Sequence, residues 1–286
     1  MKRRIILKQN EQLLRITSRT TAAPGAAPSA MWLRTFARRH EQTFLGWGTL
    51  LCCLLVWELL PALGLVKPLF TSSPSRIFTA ARWLFAHGFW TDIQVSAIGF
   101  GYGFGLSLLI GVPVGMLMGW YRRVHAMFSP LVTTLYVIPR VALLPMLILW
   151  FGIGIESKVA IVFLGGVFAI LLNVMAGMQT LDEQLVRCAR SFGATDRQLF
   201  MTVALPSILP FLIAGMKLAV GRALVGVLVG ELVASTAGVG HMMAIAGATF
   251  QTDKVFVGVI LLAAVGWGLT ALLQRLEDRL SQWRPK

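Results

Sequence analysis

Long apolar stretches alternate with short polar ones along most of this chain. A helix of about 20 mostly apolar residues can cross the roughly 30 Å hydrocarbon core of a bilayer, and six stretches qualify. The predicted spans are residues 43–66, 95–120, 127–151, 159–179, 208–233 and 255–273. The pattern therefore predicts an all-α membrane protein with about six transmembrane helices.

The two ends of the chain differ from this apolar centre. Residues 1–30 are polar and basic and lack an apolar stripe, which predicts a flexible cytoplasmic tail. In residues 31–42, arginines alternate with large apolar side chains, as is typical of an interfacial helix. Residues 43–94 would hold the first transmembrane helix and an outer loop. Residues 276–286 form a basic cytoplasmic tail.

The distribution of Lys and Arg predicts the orientation of the chain. With a cytoplasmic N-terminus, the cytoplasmic segments hold eighteen of these residues and the outer segments hold five. Without the N-terminal tail the ratio is still nine to five in the same direction. The positive-inside rule therefore places both termini in the cytoplasm, together with the polar segment between the fourth and fifth spans.

That polar segment comprises residues 181–206. Its first apolar residues recur at the helical period, and Gly193 then terminates the helix. Thr195 and Gln198 have the spacing of a capping box, which starts a second helix that runs to Pro206. The segment is therefore predicted to form two short helices joined by a glycine turn, projecting from the membrane and suited to docking on another protein.

The residue order in this segment resembles a known motif. The residues that carry it are Ala189, Gly193, Val203, Leu205 and Pro206. Their spacing is similar to the EAA loop of the permease subunits of bacterial binding-protein-dependent ABC importers, although Arg187 and Cys188 replace the usual Glu-Ala. The resemblance implies a type I ABC importer permease fold over residues 95–275. The candidate coupling residues are Arg187, Ala189, Arg190, Gly193, Ala194, Phe200, Leu205 and Pro206.

The same resemblance implies the partners. Two copies of the chain would form the pathway in the bacterial inner (plasma) membrane, two copies of a separate ABC ATPase would hold ATP and Mg, and a periplasmic binding protein would deliver the solute. The chain itself has no GxxxxGK[ST] motif and no His and Cys cluster with metal-ligand spacing. We therefore expect no cofactor or metal on this chain and no enzymatic activity of its own.

The third predicted span contains three prolines, of which Pro139 and Pro145 flank Arg140. Proline bends or breaks a helix, and backbone freed at membrane depth must face protein or a water-filled cavity. A cavity is favoured because an arginine in lipid costs about 2.5–3.5 kcal/mol on insertion scales. The sequence here resembles the nitrate, sulfonate, taurine and bicarbonate branch of the family, and the similarity extends over residues 95–283.

The fifth span carries three charged residues. Lys217 lies in the cytoplasmic half, where its ammonium can extend to the interface. For Arg222, nearer the middle, an anion pathway and an interhelical ion pair both stay open. The pathway candidates are Pro139, Arg140, Pro145, Arg222 and Glu231. By the family resemblance, Gly238 and Gly240 are candidates for an outer gate.

Small residues recur every four positions in the second span, at Gly99, Gly103, Ser107, Gly111, Gly115 and Gly119. Gly226 and Gly230 form a similar pair in the fifth span. Helices associate in lipid where small side chains let their backbones come close. Both sets therefore predict packed helix faces.

Composition narrows the function further. The 286 residues are 56% hydrophobic and 13% charged, which excludes an ordinary soluble domain. The net charge of +14 lies mostly in the tail and between spans, so we expect the lipid bilayer as a partner and no nucleic acid. The prediction is an ATP-driven permease for a small, anionic solute of the nitrate, sulfonate/taurine or bicarbonate class.

The alternatives are an ion-gradient-driven secondary transporter of a small anion and a structural scaffold. Secondary transporters usually have repeated halves and acidic sites at mid-membrane. Here the acids inside the predicted spans, Glu58 and Glu231, lie toward the outer ends, and no repeat is visible. A scaffold would not need a broken third span.

Overall fold

The computed structural model describes residues 28–280, with side chains from Leu45 onward except that of Pro68. The described residues are largely helical and contain no strand. Most of the predicted N-terminal tail and residues 281–286 of the predicted C-terminal tail lie outside this range. The chain divides into two units, residues 1–59 and 60–286, which are described separately.

Helix α1 (Pro28–Ala62) accounts for the described part of the first unit and continues into the second. It has no break at residue 42, which is the predicted boundary between an interfacial helix and the first span. Leu45–Ala62 is long and apolar enough to cross a membrane. The helix ends four residues before the predicted boundary at residue 66, and Gly64 follows with a φ of 72°, a left-handed conformation that favours glycine.

The second unit contains the remaining helices. They are α2 (Pro68–Thr71), α3 (Pro74–Ala86), α4 (Phe89–Trp120), α5 (Arg122–Val137), α6 (Leu144–Phe151), α7 (Ile155–Gln179), α8 (Glu183–Ser191), α9 (Asp196–Leu199), α10 (Leu205–Val233), α11 (Val239–Ala248) and α12 (Thr252–Leu280). Across the described residues of both units, five helical segments can cross a membrane, or six when α5 and α6 count as one bent span. The predicted number of about six is confirmed.

Helix α7 is the centre of the second unit, because both α4 and α10 pack along it. The small residues of α4 face α7: a Cβ on Gly111 would lie 3.0 Å from the Val167 carbonyl oxygen, and one on Gly115 would lie 2.6 Å from that of Leu171. On α10, a Cβ on Gly226 would lie 3.1 Å from the Ile161 carbonyl oxygen. Both predicted packing faces are confirmed.

The third span is broken, as the prolines predict. Helix α5 meets the segment Arg140–Phe151 at 86°, and this segment begins with a 3₁₀ turn at Arg140–Leu143 and continues as α6. Ile138 has an extended backbone, which is the usual conformation before a proline, and Pro139 begins the turn. Pro145 lies in the first turn of α6, where no backbone N–H needs a helical partner. The break is therefore a consequence of the proline spacing.

One prediction about the polar segment is wrong: its second helix does not end at Pro206. Helix α9, a π turn at Phe200–Ala204 and α10 form one helical run, Asp196–Val233. The N–H of Leu205 bonds to the Phe200 carbonyl, and this wider turn accommodates the proline ring that would clash with a regular helical turn. The second helix of the polar segment and the fifth span are thus one continuous element.

Candidate functional site

An open cavity of about 520 Å³ lies where the broken third span meets α7 and α10. We call it the arginine cavity. Its lining residues are Tyr136, Ile138, Pro139, Arg140, Val141, Ile161, Gly165, Gly221, Arg222, Val225, Gly226 and Val229. Aliphatic side chains make up much of the wall, and the polar groups come from one tyrosine and two arginines.

The two arginines of this cavity share one aromatic ring. The Nη2 atom of Arg222 donates a hydrogen bond to the Tyr136 hydroxyl at 2.8 Å. The central guanidinium carbons of Arg222 and Arg140 lie 5.1 Å and 5.7 Å from the ring centroid of Tyr136, which is cation–π distance. The break at Ile138–Pro139 brings Arg140 to this position, because it turns the chain across α7.

Neither guanidinium is fully satisfied. Arg140 makes one long hydrogen bond, 3.5 Å from Nη1 to the Gly165 carbonyl, and its buried Nε has no partner. Within residues 45–280, no carboxylate lies within 4 Å of either Arg140 or Arg222. The interhelical ion pair considered for Arg222 is therefore not formed in the described structure.

Glycines shape the floor of the cavity. A Cβ on Gly165 would lie 2.9 Å from the Arg222 carbonyl oxygen, so α7 and α10 approach closely beneath the arginine. A Cβ on Gly221 would have no atom within 4 Å, because this glycine faces the open space. Of the predicted pathway residues, Pro139, Arg140 and Arg222 thus come together here, while Pro145 does not line the cavity.

The remaining pathway candidate, Glu231, lies elsewhere and is fully buried. Its carboxylate accepts hydrogen bonds from the Ser96 hydroxyl at 2.7 Å and from the Gly240 N–H at 2.9 Å. Lys158, which is only 5% exposed, lies 3.5 Å away through Nζ. Glu231 therefore does not line the arginine cavity, and its oxygens bond to three groups of the protein. Its place on the pathway stays a prediction.

The loop before α11 is held by the same group of side chains, which we call the Glu231 network (Asp92, Ser96, Lys158 and Glu231). Asp92 accepts a hydrogen bond from the Gly238 N–H at 2.8 Å, and Ser96 accepts one from the Val239 N–H at 2.9 Å. Lys158 Nζ donates to the Ala237 carbonyl at 3.0 Å. The network therefore fixes residues 237–240 against α4, α7 and α10.

The two gate candidates are required by this close packing. Gly238 has a φ of 124°, a backbone conformation that residues other than glycine rarely adopt. A Cβ on Gly240 would lie 2.6 Å from the Cβ of Glu231. Neither glycine lines the arginine cavity. Their role as an outer gate stays a prediction.

The first helix of the polar segment, α8, is exposed along its length. Asp182 caps it by accepting a hydrogen bond from the Gln184 N–H at 2.7 Å. Gly193 follows with a φ of 79°, and the capping box of Thr195 and Gln198 is formed as predicted. The turn between the two helices is therefore encoded by local residues.

The apolar residues of this segment divide into two groups. Leu185 is 55% and Phe192 is 87% exposed, so neither packs into the described bundle. Phe200 and Leu205 instead pack against the core, and the Phe200 ring contacts that of Trp120 at 5.8 Å. The exposed group is available to another protein, while the packed group joins the segment to the bundle.

The charged and small coupling candidates lie on the exposed side of the segment. Arg187 lies 3.9 Å from Glu183, and Arg190 lies 3.4 Å from Asp196, both as solvent-exposed pairs. The partly exposed candidates are Ala189 and Ala194. Pro206 is in the first turn of α10, within the helical run.

Sequence reasoning missed the residues that complete both sites. Tyr136 precedes Arg140 by four positions, but the proline between them gave no reason to expect contact. The sequence predicts Lys158 in an outer loop, before the fourth span, whereas it lies at the start of α7. The polar residues Asp92 and Ser96, near the start of α4, were a usable signal because the rest of that helix is almost wholly apolar.

Similarity to known proteins agrees with this architecture. Residues 111–283 match the family described as the binding-protein-dependent transport system inner membrane component. The chain belongs to this family. It is therefore a multi-pass inner-membrane permease subunit, a component of a transport system.

Its relatives include several named permeases. The putative aliphatic sulfonates transport permease protein SsuC of Bacillus subtilis is 34% identical, over 84% of this chain and 88% of that protein. The taurine transport system permease protein TauC of Escherichia coli is 30% identical, over 85% and 90%. The formylaminopyrimidine transport permease protein ThiX of Halalkalibacterium halodurans is 32% identical, over 82% and 94%.

A solved structure confirms the fold. The chain resembles a chain of the MetNI methionine ABC transporter, determined in inward facing conformations, with a TM-score of 0.51 and 22% identity. The match covers 72% of this chain and 98% of that one. The predicted type I ABC importer permease fold is thereby confirmed, while the cytoplasmic position of the termini stays a prediction.

Proposed function

We propose that this chain forms the translocation pathway of an ATP-driven importer for a small anion with an oxyanion head group, of the sulfonate class. The observation that carries this proposal is the pair of guanidiniums without carboxylate partners in the arginine cavity, Arg140 and Arg222. The printed names of two relatives, which refer to aliphatic sulfonates and to taurine, support the same class.

The electrostatics of the cavity favour an anion. Two like charges around one ring repel each other, and a charge at this depth is costly without a partner. An anion between Arg140 and Arg222 offsets both costs and forms charge-assisted hydrogen bonds with N–H groups that have few partners in the protein. A neutral solute would leave the repulsion in place.

Coupling to ATP hydrolysis is assigned to the exposed polar segment. Leu185 on α8 and Phe192 directly after it are exposed away from the bundle, as expected for a surface that docks on a separate ATPase. The run Asp196–Val233 connects this surface to the cavity, because Arg222 lies on the same helix. Movement of the ATPase would therefore reach the solute site through one element. A second copy of the chain and a binding protein would complete the proposed importer.

The proposal is tested by reconstituting the chain in proteoliposomes with a candidate ATPase and a candidate binding protein from the same genome. Ethanesulfonate, taurine, nitrate and bicarbonate would be compared with an uncharged solute for stimulation of ATP hydrolysis and for uptake. We expect stimulation by an anion. Uptake that follows an ion gradient and needs no ATPase would instead support the secondary transporter.

The docking surface is tested separately with Gly193→Val. A β-branched residue is strained at a φ of 79°, so the turn between α8 and α9 should be distorted and anion-stimulated ATP hydrolysis abolished, with membrane insertion unchanged. Gly101→Val is a matched control, because no atom lies within 4 Å of a Cβ at Gly101. Normal stimulation in the Gly193 variant would contradict the docking assignment.

A further inference from the structure

The Tyr136 hydroxyl has an unusual position between the two arginines. It accepts a hydrogen bond from Arg222 Nη2 at 2.8 Å, which occupies a lone pair of its oxygen. Its own proton has no acceptor among the hydrogen bonds of the described residues, although the side chain is only half-buried and borders the cavity. A hydroxyl that accepts from one group can donate to another. Tyr136 therefore has one hydrogen bond to give to a solute.

The ring of Tyr136 is held in place by its surroundings. It packs edge to face against Phe168 on α7 with ring centroids 6.5 Å apart, and both guanidiniums lie within cation–π distance of it. The hydroxyl direction is thus fixed relative to Arg140 and Arg222. A fixed donor can discriminate between acceptors by geometry, whereas a mobile one adapts to any of them.

We propose that Tyr136 determines head-group specificity, by donating a third hydrogen bond to an oxygen that a sulfonate has and a planar carboxylate lacks. This inference rests on the proposed function, since it assigns a residue of the same site. Arg140, Arg222 and Tyr136 then form a cradle of donors from three directions. A sulfonate presents three equivalent acceptor oxygens to them, while a carboxylate has two oxygens in a plane.

The rest of the cavity fits an uncharged alkyl group on the solute. Ile138, Val141 and Val225 form part of the wall, and no Asp or Glu is among the lining residues. Apolar walls favour an alkyl group because its removal from water is favourable. The selected solute class is therefore an alkyl chain with a sulfonate head.

The test is equilibrium binding of ethanesulfonate and propanoate to the purified permease–ATPase complex in detergent. Both probes carry an ethyl group, so they differ only in the head. Omitting the binding protein keeps its own specificity out of the measurement. In the wild type we expect tighter binding of ethanesulfonate than of propanoate.

Tyr136→Phe keeps the ring but removes the hydroxyl. We expect about tenfold weaker binding of ethanesulfonate, the size of effect that loss of one hydrogen bond to a charged group produces, and no more than about threefold weaker binding of propanoate. Tyr102→Phe is the matched control, because Tyr102 is exposed on α4 and does not line the cavity. Its affinities for both probes should equal those of the wild type.

Tyr136→Trp tests whether a hydrogen-bond donor at this position, rather than a change in folding, accounts for the preference. The indole keeps an aromatic face and supplies an N–H donor, so it should recover part of the preference for ethanesulfonate that Tyr136→Phe loses. An equal loss for both probes in Tyr136→Phe would overturn the specificity role, whatever the tryptophan variant binds. A wild-type complex that binds neither probe would instead overturn the proposed anion site itself.

Discussion

The Glu231 network and the arginine cavity both place charged side chains on α7 or α10 within the same bundle, but they treat charge in opposite ways. In the network, the carboxylate of Glu231 has no exposure and bonds to Ser96, Gly240 and Lys158. In the cavity, Arg140 and Arg222 are half-buried and have no carboxylate within 4 Å among residues 45–280.

This difference indicates that the charges of the Glu231 network stabilise the fold, while those of the arginine cavity are available for function. A buried charge is tolerated when a counter-charge and hydrogen bonds replace its water, and removing one partner then destabilises the fold. Charges without a carboxylate partner contribute no such stabilisation, and two of the same sign oppose it. Substitutions in the network should therefore affect folding, and substitutions in the cavity should affect solute binding.

The largest expected effect is that of Glu231→Ala. The change leaves Lys158 buried without its counter-charge and removes the acceptor of the Gly240 N–H, so we expect a loss of about 3–5 kcal/mol in the free energy of unfolding. The measurement is denaturant or thermal unfolding of the detergent-purified protein. Expression in the membrane should fall as well.

A double variant sharpens this prediction. Lys158→Met combined with Glu231→Gln removes both charges but keeps an acceptor for the Ser96 and Gly240 donors, so much of the stability should return. If Glu231→Ala unfolds like the wild type, the network does not stabilise the fold, and the proposed difference between the network and the cavity is wrong.

The second prediction concerns Arg222→Gln in the cavity. Loss of one charged donor should raise the half-saturating concentration of ethanesulfonate in transport by about 10- to 100-fold. The unfolding temperature should stay the same or rise, because the repulsion from Arg140 disappears. Arg82→Gln, on the exposed surface of α3, is the control for removal of a positive charge. A large loss of stability with normal transport would reverse the assignment.

Several features of this fold could be predicted from the sequence alone. The broken third span could be predicted from Pro139 and Pro145, because proline lacks the N–H that a helix needs. The packed face of α4 could be predicted from its small residues, because they recur with a fixed period. The capping box of Thr195 was likewise readable, since it involves residues three apart.

Contacts between distant residues were not readable in this way. Lys158 and Glu231 are 73 positions apart, and Tyr136 and Arg222 are 86 apart, so no periodicity relates them. The prediction at Pro206 failed for a different reason: the rule that proline ends a helix holds for a regular turn, and the π turn before it removes the clash.

The third prediction compares one glycine from each region. Gly240→Ala would place a Cβ 2.6 Å from that of Glu231, so we expect about 1–2 kcal/mol lower stability from overpacking. Gly221→Ala adds the same methyl group to the arginine cavity, where no atom lies within 4 Å. Its stability should be unchanged or slightly higher, because alanine is more favourable than glycine inside a helix. Parallel unfolding curves of the two variants test the difference, and equal destabilisation would contradict it.

The smallest effect is expected for Glu277→Gln. Glu277 and Lys217 form an ion pair, as in the Glu231 network, but they are partly exposed, as the arginines of the cavity are. Lys217 Nζ lies 2.5 Å from the Glu277 carboxylate and joins α10 to α12, but both side chains are partly exposed. Water already solvates part of each charge, so the loss should be about 1 kcal/mol or less and should shrink further at high salt. A loss as large as that of Glu231→Ala would show that pairing alone, without full burial, sets the stability of charges in this bundle. Unfolding at low and high salt decides between the two.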